Sequence, residues 1–181
     1  MFKFRKHHYT CRPIPHAAAV AFIAEHHYSK GAGALSSVRI GLFRKSSGEL
    51  VGVSLWMMAS AGACKRYKVG GAELLALSRL AIAPEVPTNG ASFLIGWSIR
   101  YIRKTRKEIK ALVTYADGMQ KHTGAIYRAS NWTFDGDTGK TYRWKDADGR
   151  LRSCLAHRVA YMDQHFTRVG PYSKKRFVYW L

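Results

Sequence analysis

The sequence predicts an α/β (α+β) fold: one domain, residues 1–181, with a central mixed β-sheet flanked by helices. Three observations predict it. Apolar strand-like runs at 38–44, 50–58, 74–83 and 112–116 alternate with stretches of helical period. Between Glu73 and Trp132 the order is strand, turn, helix, strand, acidic turn, helix. That order places a turn at a helix N-terminus, a ready seat for an anion. A length of 181 residues with 47% hydrophobic content suffices for one core, and no apolar run is long enough to span a bilayer.

Residues 1–14 are basic and aromatic and read as an edge strand or arm. Pro15 suits a helix start. Val20, Ile23, Ala24 and His27 then share a face, so helix one is predicted to run to about Ser29, with Lys30 and Gly31 at its end. The strands at 38–44 and 50–58 form a hairpin across Ser46–Glu49. Residues 59–72 are small and basic and read as a mobile loop. Pro84 and Pro87 stop the 74–83 strand, and Thr88 or Asn89 caps a helix over 90–106. The basic last turn of that helix, Arg103–Lys107, suits the negative end of the helix dipole. Residues 112–116 are a short buried strand leading into Asp117 and Gly118. A helix near 122–130, a strand at Thr133 and Phe134, and a hairpin pairing 142–145 with 150–155 follow. That hairpin and the aromatic 177–181 segment are expected to complete the same sheet.

Charge is the most informative part of the composition. Thirty Lys and Arg against 11 Asp and Glu give +19. Such an excess costs self-repulsion, and nucleic acid is the commonest polyanionic partner that offsets it. A membrane surface is disfavoured because no basic amphipathic anchor stands out. The N-terminus carries charge without an apolar stretch after it, so no secretory leader is expected. The three cysteines, Cys11, Cys64 and Cys154, have no metal spacing and read as reduced cytoplasmic thiols.

Leu77-Ser-Arg-Leu-Ala-Ile82, Pro87-Thr-Asn-Gly-Ala-Ser92, Leu112-Val-Thr-Tyr-Ala116 and Ile126 to Trp132 together resemble the GNAT acyltransferase superfamily. The resemblance implies two splayed parallel strands with a donor's pantetheine in the gap and its pyrophosphate on the turn before the next helix. It implies acetyl-coenzyme A or another acyl-coenzyme A as donor. Donor contacts then fall to Leu80, Ile82, Thr88, Asn89, Gly90, Ser92 and Ser130. The turn departs from the superfamily's Gln/Arg-x-x-Gly-x-Gly/Ala: it has one glycine and lacks the Gln/Arg entry.

More narrowly, His26-His-Tyr-Ser-Lys-Gly31, Leu77-Ser-Arg-Leu80, Tyr115-Ala-Asp117 and His122 to Trp132 resemble the Mom family of phage DNA-modification proteins. This resemblance implies an enzyme that converts adenine in DNA to N6-carbamoylmethyladenine and so shields phage DNA from restriction. It implies double-stranded or locally opened DNA as substrate, and the host cytoplasm as location. An acyl thioester alone delivers an acyl group, so a carbamoylmethyl product needs further chemistry or another donor. Two other classes stay open: an N-acetyltransferase acting on RNA, protein or a small amine, and a non-catalytic basic DNA-binding protein.

Each candidate residue has a functional and a structural reading. Asp117, at the carboxyl end of a strand, can orient or deprotonate a base amine, or simply cap the next turn. Tyr127 matches the superfamily's leaving-group acid, or packs its helix on the sheet. Ser78 and Arg79 lie mid-strand, where a charge is costly unless paired or at a site, so Arg79 is a candidate anion receptor. His27 is either a core histidine or part of the site, with Tyr28, Ser29 and Lys30 beside it on the DNA side. Lys65, Arg66, Tyr67 and Lys68 bracket an aromatic with cations, as Arg143 and Lys145 bracket Trp144, which suits phosphate contact with base stacking. The alternative is a solvated face. His26, His27, His122 and Asp117 are the candidate ligands for iron, manganese or zinc, though no ligand spacing supports a metal.

Overall fold

The structure, a computed structural model, describes residues 3–29, 31, 36–149, 151–152, 154 and 156–181. Its strands are β1 (Tyr9–Pro13), β2 (Val38–Arg44), β3 (Leu50–Met58), β4 (Leu74–Ile82), β5 (Ala111–Asp117), β6 (Thr133–Asp137), β7 (Thr141–Lys145), β8 (Leu151–Arg152), β9 (Thr167–Tyr172) and β10 (Lys174–Trp180). The helices are α1 (His16–His26), α2 (Ala61–Tyr67), α3 (Gly90–Thr105), α4 (Ala125–Ala129) and α5 (Val159–His165), with 3-10 turns at Lys6–His8, Gly118–Gln120 and Ala156–Arg158.

One sheet runs in the order β1-β2-β3-β4-β5-β10-β6, and its central pair, β4 with β5, is parallel. Pairing in that pair spans Leu74↔Ala111 to Leu77↔Thr114 and then stops, although β4 continues to Ile82 and β5 to Asp117. The expected fork is therefore present. Alternation along β5 explains how it is held. Leu112 and Ala116 face one apolar cluster that includes α3 residues Leu94, Ile95 and Ile102, while Ala111 and Val113 face another that includes α2 residues Ala63 and Cys64.

Several expectations are corrected. Residues 59–72 contain a helix, α2, rather than a mobile loop. Ser60 Oγ caps it by accepting the Ala63 N–H, and Lys68 ends it in the left-handed region at φ 53°. The 142–155 hairpin does not finish the main sheet. β7 pairs with β8 as predicted, but with β9 they form a separate three-stranded sheet. β10 instead returns between β5 and β6 and begins at Lys174, before the predicted 177. Helix one is shorter than predicted, and its buried face is Ala19, Phe22 and Ile23 rather than one containing Ala24. Asn89 occupies the N-cap of α3 with φ 84° and without a side-chain cap bond, so backbone shape rather than the amide starts that helix. No helix of the described residues is long and apolar enough to cross a membrane.

Candidate functional site

The fork between β4 and β5 opens into a cavity of about 300 Å³. His27 and Tyr28 enter it from the end of α1, Ser78 to Leu80 from β4, Tyr115 and Ala116 from β5, and His122 to Tyr127 from the turn and helix after Asp117. The turn has a steric reason to be where it is. Gly124 has φ 78°, and a Cβ there would lie 2.3 Å from the Phe177 ring. The chain therefore lies flat on β10 at that point and leads directly into α4.

Asp117 caps the next turn, as its structural reading has it, and also accepts a side-chain hydrogen bond. Oδ1 accepts the Met119 N–H at 3.0 Å and caps the following 3-10 turn, while the Tyr28 hydroxyl donates to Oδ2 at 3.3 Å. Burial raises the Tyr28 pKa, and the adjacent Asp117 charge and hydrogen bond raise it further. Tyr127 is raised by burial as well. Both phenols thus remain donors near neutrality.

His27 is buried. Burial lowers its imidazole from 6.5 to about 4, with the Arg79 charge and then His122 adding to the effect. The Ser29 backbone N–H donates to His27 Nδ1 at 3.1 Å. Neutral His27 therefore carries its proton on Nε2 and is a donor. Arg79 Nε donates to the Gly31 carbonyl at 3.0 Å and Nη1 to the Ser78 carbonyl at 2.7 Å. Its Nη2 has no partner among the described residues, and Arg79 lines the cavity. Ser78 Oγ donates to the Leu55 carbonyl at 3.1 Å, beside the register shift in β3, so its hydroxyl holds a strand irregularity.

Next to this cavity lies a groove of about 420 Å³ at the start of α3, lined by Ile82, Thr88, Asn89, Gly90 and Ser92 and sharing Ala125 and Ile126 with the fork. Leu80 lines the fork rather than the groove, and Ser130 lines a third, larger cleft. A Cβ at Gly90 would lie 2.4 Å from Val86 Cγ1, so this turn needs glycine for packing.

The residues assigned to DNA by sequence are dispersed. Tyr28 lies in the cavity and Ser29 supports His27, while Lys30 lies outside the described residues. Arg66 and Tyr67 are committed elsewhere. Asp135 accepts Arg66 Nε at 2.8 Å and Nη2 at 3.0 Å, the Tyr67 hydroxyl at 2.7 Å and Arg176 Nε at 2.7 Å. The Tyr67 hydroxyl thereby ties α2 to β6. Lys65 and Lys68 are exposed on α2 and at its end. Arg143 and Lys145 sit on β7 in the second sheet, and the Trp144 between them is buried with its Nε1 donating to Asp163. Among the described residues no group of three His, Cys, Asp or Glu is placed to hold an ion, so nothing is added to the metal reading of His26, His27, His122 and Asp117.

Sequence reasoning underused Tyr115 and Gly124. Tyr115 is the residue that follows the last β4–β5 pair, a position set by pairing register that no local pattern reveals.

The sequence model of the Mom protein family matches residues 8–178, a span that includes every cavity residue named above. The chain belongs to the Mom protein family. The methylcarbamoylase mom of Escherichia phage Mu is 26% identical over 133 residues, covering 72% of this chain and 54% of that protein. The chain therefore spans about half the length of this curated relative. Among solved structures, Arabidopsis thaliana NAA60 in complex with acetyl-CoA aligns over 96% of this chain and 98% of its own, with a TM-score of 0.61 and 12% identity. An agmatine N-acetyltransferase mutant in its apo form aligns over 96% and 100%, with a TM-score of 0.60 and 12% identity. These likenesses show the fold. This Mom protein has the mixed α/β architecture of the GNAT acetyltransferases.

Proposed function

We propose that this Mom-family chain is a transferase that converts adenine in DNA to N6-carbamoylmethyladenine, protecting phage DNA from restriction. The observation that carries the reading is the Tyr28–Asp117 hydrogen bond across the mouth of the fork, within the family match. It joins the end of α1 to the end of β5 around a cavity that also holds a neutral histidine, a second tyrosine and an arginine. A purely binding protein has no need of that set. The charge of +19 supports a DNA substrate.

An adenine amine inside a duplex is out of reach, so the base must flip out or come from opened strands. Tyr28, exposed at the mouth, offers a stacking face. Asp117 Oδ2 accepts from the exocyclic amine and takes its proton as the new bond to nitrogen forms. Tyr127, held as a phenol, donates to the leaving group. His27 Nε2–H and Nη2 of Arg79 hold a donor oxygen. The groove at the start of α3 fits a phosphorylated donor tail, since helix N-terminal amides favour anions, and Thr88, Asn89, Gly90 and Ser92 would hold it. A coenzyme A thioester bound there would supply an activated acyl carbon and give an N-acyladenine with release of the thiol, so the carbamoylmethyl product requires a further step or a different donor.

The test is mass spectrometry of nucleosides from the DNA of cells expressing the chain. A modified adenine of the carbamoylmethyl mass is expected, and its absence from DNA of cells making folded protein rejects the reading. The acetyl-CoA-bound neighbour favours one other reading, an acyl-coenzyme A-dependent N-acetyltransferase on RNA, protein or a small amine. That reading predicts unmodified DNA and acetylated product instead.

A further inference from the structure

We propose that the N-terminal arm, Lys3–His7, is a phosphate clamp that works with Arg100 and Arg103 of α3 to hold the multiply phosphorylated tail of the transfer donor. The inference rests on the transferase reading above but not on DNA as the acceptor. A cleft of about 1050 Å³ lies between the arm, α3 and the end of α4. Lys3, Arg5, Lys6, His7, Arg100 and Arg103 line it, and no carboxylate does. None of the five Lys and Arg side chains makes an ion pair among the described residues. Five unneutralised cations around one cleft repel one another, and a polyanion in the cleft removes that cost.

The arm is built, not loose. The Phe4 ring stacks on Tyr9 at 4.6 Å between centroids and tilts against Phe93 of α3 at 5.3 Å. The His8 N–H donates to the Arg5 carbonyl, closing the turn, and the Lys45 N–H donates to the His8 carbonyl. One apolar anchor therefore fixes cations on both sides of it over α3. Ser92, Gly96 and Arg100 follow one another at helical spacing along the cleft floor, small residues first and the cation beyond them. Ser130 Oγ, also at the cleft, is buried with no hydrogen-bond partner among the described residues.

Continuity assigns the ligand. The cleft shares Asn89, Ser92 and Ala129 with the groove at the start of α3, and that groove shares Ala125 and Ile126 with the fork. A donor whose reactive end reaches the fork thus has its far end among these cations. The spread of charge along the arm and one turn of α3 suits several phosphoryl groups rather than one carboxylate. It also accounts for the sparse turn at Pro87–Gly90: charge missing from the turn is supplied by the arm. The family match begins at residue 8, so the arm precedes the matched span while Arg100 and Arg103 lie within it.

The test is calorimetric titration of the full chain with coenzyme A, dephospho-coenzyme A and ADP, and separately with a DNA duplex. The variants are Lys3→Ala/Arg5→Ala/Lys6→Ala, which keeps Phe4, and Arg100→Ala/Arg103→Ala. Wild type is expected to bind coenzyme A more tightly than the dephospho form. Each variant should lose tenfold or more in coenzyme A affinity with a shallower salt dependence, an unchanged melting temperature and DNA affinity within twofold. Wild type that binds none of the three phosphorylated ligands overturns the proposal. So do variants that bind coenzyme A as wild type does, and variants whose DNA affinity falls as far as their coenzyme A affinity, since the arm would then be a DNA contact. An absence of modified adenine in cells would reject the DNA reading and leave this titration standing.

Discussion

Two aspartates flank β10, and each accepts a tyrosine hydroxyl, yet their surroundings differ. Asp135 on β6 receives Tyr67, Arg66 and Arg176, and the Arg66 hydrogen bond, followed by those of Tyr67 and Arg176, holds its carboxyl well below the usual range. Asp117 at the end of β5 receives the longer Tyr28 bond and a backbone amide, with no cation bonded to it among the described residues, and stands beside an open cavity. One carboxylate is saturated and sews α2 to β6. The other keeps acceptor capacity where a ligand can reach it. The difference teaches that a tyrosine–aspartate pair marks a site only when its partners leave something unfilled.

The largest effect expected from this contrast is on chemistry. Asp117→Asn should lower adenine modification by about two to four orders of magnitude, the usual cost of removing a positioned base. Stability should barely change, because asparagine still accepts the Met119 N–H and caps a turn about as well. Modified adenine counted in DNA from expressing cells, beside thermal melting, checks both halves. Wild-type modification by a folded variant would make Asp117 a second Asp135, structural and nothing more.

Asp135→Asn should do the reverse. It strips the counter-charge from Arg176, whose side chain is 12% exposed, and from Arg66. A loss of about 2 kcal/mol is expected for a half-buried pair of this kind. In a chain of this size that is roughly 4–8 °C in melting temperature. Modification per folded molecule should stay at the wild-type level. A variant that melts normally but fails to modify DNA would move Asp135 into the site and erase the contrast.

How much of this was legible beforehand depends on the range of the forces involved. The β4–turn–α3–β5 succession was readable because prolines, Asn89 and Gly90 punctuate strong apolar periods. The end of β5 at Asp117 was readable for the same reason. The helix α2 was not: Ala61-Gly-Ala-Cys-Lys-Arg-Tyr67 has little apolar stripe, and its burial against Leu74, Val113 and Val178 comes from the rest of the chain. Likewise Arg66 and Tyr67 look like free DNA contacts until Asp135, 68 residues after Tyr67, is placed beside them. The β10 insertion between β5 and β6, and the meeting of the arm with Arg100 and Arg103, are also products of long-range pairing. Sequence periodicity carries no record of either.

The smallest effect separates the two regions by pH. His27 has a native pKa of about 4 against 6.5 when unfolded. Above about 6.5 neither state binds the proton, and the neutral imidazole's contribution is complete. As pH falls from 6.5 towards 4, the unfolded chain takes up a proton that the native site resists, so stability declines across that window. Asp135 acts in a different window. Its lowered native pKa gives stability that persists until pH falls below the ordinary aspartate value of 3.8. His27→Gln removes the first contribution and leaves the second. Urea midpoints of wild type and variant, measured from pH 7.5 to 4, should show a stability difference whose wild-type advantage shrinks with acid. A parallel scan of Asp135→Asn should show a difference that stays nearly flat over the same range. If the His27→Gln difference is flat as well, the histidine titrates normally. The fork would then hold a protonated imidazole at mildly acid pH, and its assignment as a neutral Nε2–H donor would fail.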